Sequence, residues 1–64
     1  MSPPAELLSA LAATSGAQAA FDALDRTNRY AVCFRVATLK TAAGRTKRAQ
    51  ALAVLLAGGG RIHD

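Results

Sequence analysis

The sequence predicts an all-α fold, a compact bundle of three to four short helices forming one domain over residues 1–64. Three observations point to it. Apolar residues recur at helical spacing in every segment. The breaks between segments fall on Pro, Gly, Ser, Thr and Asp, the residues that start and stop helices. Residues with strand preference concentrate in one stretch, Tyr30 to Val36, where a strand would have no partner to pair with.

The elements follow in order. Pro3 and Pro4 suit a first helical turn, where the missing N–H costs nothing. Leu7, Leu8 and Leu11 then mark a short helix over residues 4–13. Thr14-Ser15-Gly16 provides a glycine stop and an N-cap for the next element. Ala17, Ala20, Phe21 and Leu24 recur at i, i+3, i+4 and i+7 and mark a second short helix. Asp25 or Thr27 caps the third, on which Tyr30, Cys33, Phe34 and Ala37 form one stripe and Val32, Val36 and Leu39 an adjacent one. A helix apolar over most of its circumference belongs at the centre of a bundle, so the other rods are expected to wrap around residues 30–39. After the turn Thr41-Ala42-Ala43-Gly44, which carries a candidate cap, the last helix runs over residues 45–57. It turns Ala49, Leu52, Ala53 and Leu56 inward. Gly58-Gly59-Gly60 stops it, and Ile62 is expected to fold back as an apolar latch.

Size and composition narrow the function. A chain of 64 residues buries only about 60% of its unfolded surface, so the fold should be of low stability and gain from a partner, a second copy or a neighbouring domain. One cysteine rules out an internal disulfide or a cysteine-built zinc site. No stretch has the ~20 apolar residues of a membrane span, and the N-terminus lacks the positive region of a signal peptide. A cytoplasmic chain with a reduced thiol is the expectation.

Charge is segregated along the chain, whose net value is +4. Glu6, Asp22 and Asp25 precede every basic residue, and no carboxylate lies between Arg26 and Arg61. The cations in that span therefore have no i, i+4 acidic partner in their own helices, and the second half should present an uncompensated positive surface. Arg26 and Arg29 share a helix face, as do Arg45 and Arg48, and paired guanidinium groups grip carboxylates or phosphates. Cations at a helix start oppose its dipole, which also favours an anionic partner for Arg45 to Arg48.

Other motifs carry less chemistry. Cys33 sits in an apolar stripe and reads as a small buried hydrophobe. His63 and Asp64 at a chain end do not make a metal cage. The glycine run follows a helix, whereas a phosphate-binding loop precedes one. No catalytic residue, metal site or cofactor motif stands out. A helix-turn-helix with the last helix as reader is the nucleic-acid alternative, with Gln50 alone able to read adenine. Against it, Phe21, Tyr30 and Phe34 all fall on core stripes, leaving no stacking platform.

Several short pieces, taken in order, resemble a known family: Phe21-Asp22-Ala23-Leu24, Asn28-Arg29-Tyr30-Ala31-Val32, Lys40, Arg45-x-Lys47-Arg48 and Gly60-Arg61-Ile62-His63. Over residues 5–64 the chain is similar to the small helical domain of the bacteriocin-protection, YdeI/OmpD-associated family of bacterial proteins. It departs from that pattern where members carry K-x-P-E-T-R, because here Lys40-Thr41-Ala42-Ala43-Gly44-Arg45 lacks the proline and glutamate. A weaker start to the last helix is therefore expected, and Ala49 in place of a larger residue should thin the core. The resemblance implies an all-α interaction domain with no defined reaction, linked by name to bacteriocin protection and an outer-membrane porin. It implies Arg29, Lys40, Arg45 and Arg48 as partner-binding residues and Tyr30 as a packed helix-start anchor. The expected function is non-enzymatic docking of an acidic protein or other anionic envelope component, with a nucleic-acid-binding regulator as the alternative.

Overall fold

The computed structural model describes residues 3–59 and, among them, contains four helices and no strand: α1 (Ala5–Ala13), α2 (Ala17–Asp22), α3 (Arg26–Ala37) and α4 (Ala42–Ala57). The stretch from Tyr30 to Val36 is helical. The expected latch at Ile62 lies outside the described residues.

Local chemistry sets each boundary. Pro4 is the cap residue of α1, and its carbonyl accepts from the N–H groups of Leu7 and Leu8. Gly16, at φ 83°, makes the turn into α2 in a conformation that residues with a Cβ avoid. Helix α2 closes after six residues, yet Leu24 beyond it still packs against the core. Asp25, rather than Thr27, caps α3 by accepting from the Asn28 N–H at 2.8 Å.

Helix α4 begins three residues earlier than residue 45, because Thr41 is its cap. The Thr41 hydroxyl accepts from the Gly44 N–H at 3.0 Å. A methyl group at Gly44 would lie 2.9 Å from that hydroxyl, so glycine is what permits the close approach. The start that the missing proline and glutamate would have provided is thus supplied by a threonine cap. At the other end Gly58 is the C-cap and Gly59 takes φ 83°, as expected of a glycine stop.

The core is built from Leu7, Ala10 and Leu11 of α1, Ala17 and Phe21 of α2, Val32, Cys33 and Val36 of α3, and Ala49, Leu52, Ala53 and Leu56 of α4. The inward face expected for the last helix is therefore correct at all four positions. The expected centre is not. Helix α4, not α3, makes the most extensive contact with each of the other helices, above all with α1, whereas α3 touches α1 less and α2 only slightly. Helix α3 packs on one side only. A helix covered on one side buries one stripe, and here it is the Val32–Val36 stripe with Cys33. Tyr30 and Phe34 are left 51% and 48% exposed, and Ala37 is exposed too.

Among the described residues, one ion pair fastens the bundle. Arg45, in the first turns of α4, reaches Glu6 in the first turn of α1 with Nε to Oε2 at 3.0 Å. Its Nη1 also donates to the carbonyl of Leu39 at 3.0 Å and to that of Lys40 at 3.4 Å. One guanidinium thus joins the start of α1, the α3–α4 loop and the start of α4. This corrects the expectation that the later cations are all uncompensated: Arg45 is paired with an acid 39 residues earlier. The unfavourable position of a cation near a helix start is relieved by that carboxylate and by the loop carbonyls.

Hydrogen bonding to backbone N–H at the start of α1, and then to Arg45, holds the Glu6 carboxyl below its ordinary pKa of 4.5. Below that value the unfolded chain binds more protons at Glu6 than the folded one does. The contribution is therefore complete above pH 4.5 and is lost as pH falls through the lowered folded value. Denaturant titrations from pH 6 to pH 2 should show a loss of stability in that window, and Glu6→Gln should flatten it; an unchanged slope in the variant would show that the pair contributes nothing. Separately, Thr41→Ala should cost about 1 kcal/mol of unfolding free energy, read as a lower denaturation midpoint, while Thr41→Ser should retain most of the stability.

Candidate functional site

The two apolar stripes of α3 have separated, one into the core and one to the surface. The surface stripe carries Tyr30 and Phe34, one helical turn apart, with ring centroids 5.9 Å apart and planes inclined by 22°. Residues at i and i+4 lie on one face, so these rings form a short aromatic ridge along the outside of α3. Arg26 lies one turn before Tyr30, at the start of α3.

A shallow depression lies on each side of the ridge. The first is lined by Arg26, Thr27, Arg29 and Tyr30, with Phe21 and Cys33 among its apolar walls. The second lies between α3 and α4 and is lined by Ala31, Phe34, Arg35, Thr38, Leu39 and Arg48. Each depression therefore holds one ring of the ridge and two arginines. Along the helix axis, Arg29 and Arg35 are separated by about 9 Å, at 1.5 Å per residue.

Among the described residues these four arginines have no ion pair, and Lys40 and Lys47 have none either. The three described acids are engaged elsewhere. Glu6 holds Arg45, Asp25 caps α3, and Asp22 accepts from the Gln18 side chain at 3.0 Å. The face is positive because the sequence places no acid within α3 or α4. Asp25, the cap that precedes α3, is engaged by the Asn28 N–H and makes no ion pair with the arginines beside it.

The residues singled out in the sequence divide between two roles. Arg29 and Arg48 lie in the depressions, on opposite sides of the ridge. Lys40 is exposed in the α3–α4 loop, where its carbonyl accepts from Arg45. Arg45 does not join Arg48 on one face. It is half-buried in the clasp with Glu6, while Arg48 lines the second depression together with Arg35. Arg26, Arg35, Tyr30 and Phe34 complete the face. Their signal was the second apolar stripe of α3, which begins at an arginine and is bordered by arginines at 29 and 35. The reading of Tyr30 as a packed anchor, and of Phe34 as core, is corrected because no element covers that side of the helix; Phe21 is core as expected, at 6% exposure.

Cys33 is 3% exposed, and burial pushes its thiol pKa up, so the thiolate a nucleophile requires is disfavoured. It serves as a small apolar residue beneath the first depression. No helix among the described residues is long and apolar enough to cross a membrane.

Residues 1–59 match the family model described as bacteriocin-protection, YdeI or OmpD-associated. No curated protein and no solved structure matches the chain. The match spans all four helices, the arginine-flanked ridge and the Arg45 clasp, and the chain belongs to the bacteriocin-protection, YdeI or OmpD-associated family.

Proposed function

We propose that the chain is a non-enzymatic docking domain that holds an anionic partner against the outer face of α3. One observation carries this reading: Arg26 and Arg29 on one side of the Tyr30–Phe34 ridge, and Arg35 and Arg48 on the other, are exposed and unpaired among the described residues. Guanidinium groups offer planar, bidentate donors to carboxylates and phosphates, and an exposed aromatic surface beside them adds apolar area to a contact. An acidic protein or an anionic envelope component fits that description. Arg29 and Arg48 are contact residues in this reading, with Lys40 at the margin and Arg45 reserved for the fold.

The helix-turn-helix alternative gains little. Its reading helix would be α4, whose Ala49, Leu52, Ala53 and Leu56 form the middle of the core and whose Arg45 is tied to Glu6. Gln50 lies in a groove between α1 and α4, apart from the arginine face.

Charge-matched variants test the docking face. Arg35→Gln with Arg48→Gln removes two positive charges, and Lys47→Glu also lowers the net charge by two, so both take it from +4 to +2. Binding of a fluorescein-labelled poly-glutamate peptide should weaken about tenfold in the first, from about 0.7 kcal/mol for each exposed ion pair lost. It should weaken less than about twofold in the second. Equal losses, with the helical circular dichroism unchanged in both, would reduce the effect to overall charge and refute the face.

A further inference from the structure

We infer that the anionic partner of this face is single-stranded nucleic acid, whose bases stack on Tyr30 and Phe34 while its phosphates cross the two arginine pairs. This rests on the docking role proposed above and gives the partner a chemical class.

The aromatic pair is the first ground. Two stacked rings, each about half exposed, stand on the outside of a helix that has already buried its other apolar stripe. Exposed rings beside cations are what unpaired bases require, because every base has a π-face and needs no particular hydrogen-bonding partner to stack.

The second ground is the distribution of charge. Arginines lie on both sides of the ridge, and α3 and α4 carry no carboxylate to interrupt the positive field. A ligand with one negative charge per unit, repeated along its length, can engage both pairs while passing over the rings. Guanidinium planes also stack on bases, so the same side chains serve both parts of a nucleotide.

Shape is the third. Both depressions are partly open to solvent, so neither is a closed cavity of the kind that fully desolvates an anchoring side chain. Protein interfaces draw most of their affinity from such anchors. Stacking needs only a flat face, and phosphate contact only reach.

The same residues determine what the face reads. Neither depression is lined by an Asn or Gln amide able to pair with a base edge. Recognition should therefore tolerate any sequence and should discriminate strandedness, since paired bases in a duplex are not free to stack.

The chain has one tyrosine and no tryptophan, so Tyr30 is its own optical reporter. The probes are a fluorescein-labelled twelve-nucleotide oligothymidylate, the corresponding oligothymidylate–oligoadenylate duplex and the labelled poly-glutamate peptide. The oligothymidylate should bind at low salt, quench Tyr30 emission, and bind about tenfold or more tightly than the duplex. Tyr30→Leu with Phe34→Leu keeps apolar bulk on the helix and should lose about tenfold or more in oligothymidylate affinity. Its poly-glutamate affinity should fall by less than about twofold. Arg26→Gln with Arg48→Gln should lower the log–log salt slope for oligothymidylate by about 1.4, at 0.7 per phosphate contact. Poly-glutamate binding with no oligothymidylate binding, or oligothymidylate binding without Tyr30 quenching, would overturn the inference and leave the docking face standing. Failure of both probes to bind would overturn the inference and the docking role together.

Discussion

Three helices can share one neighbour only if that neighbour is slim where they meet it, and the slimness of α4 is the constraint from which the rest of the structure follows. Ala49 and Ala53, one turn apart, are both fully buried, with Leu52 and Leu56 filling the space beside them. At 1.5 Å per residue, sixteen residues make a rod of about 24 Å, close to the longest dimension of the molecule, 27 Å. Small side chains let the other helices approach this rod closely, and the larger apolar residues of α1, α2 and α3 complete the core from outside. A bulkier residue at 49 or 53 would hold the surrounding helices away, since a packed core accommodates added methylenes poorly. The alanine at 49, which on its own reads as a thinning of the core, is what allows α4 to be its axis.

The consequence for the surface is direct. With α4 at the centre, α3 has one covered side and one open side, although its sequence is apolar on both. Val32, Cys33 and Val36 take the covered side, leaving Tyr30 and Phe34 outside beside four arginines. The charge pattern follows the same division. Arg45 has been drawn inward to fasten α1, the loop and α4, and four of the cations that remain outside, Arg26, Arg29, Arg35 and Arg48, flank the aromatic ridge.

Much of this was legible in the sequence, for reasons that can be named. Helix existence followed from spacing, and the inward face of α4 was readable because the alternation of Ala and Leu at 49, 52, 53 and 56 matches one helical stripe. The start of α4 was misplaced because Ala42, Ala43 and Gly44 resemble a turn in composition; only the hydroxyl of Thr41 distinguishes them as a first helical turn. The centre of the bundle was misassigned for a different reason. Apolar circumference says how much surface a helix could bury, whereas the extent of its contact with its neighbours says how much it does bury, and that extent is a property of the whole assembly. The pairing of Arg45 with Glu6 spans 39 residues, so nothing local in either segment announces it. The site was half visible: its arginines stood out by the absence of acids, while its rings were hidden by the assumption that apolar stripes face inward.

The central claim, that α4 is the axis and α3 a peripheral helix with an open face, is tested most directly by residue-resolved amide hydrogen exchange on the full chain. In this account the amides from Ala49 to Leu56 exchange slowest and only through global unfolding, and those of α3 exchange sooner through local opening. Slowest exchange in α3, with α4 opening first, would place Tyr30 and Phe34 at the centre of the fold and contradict it.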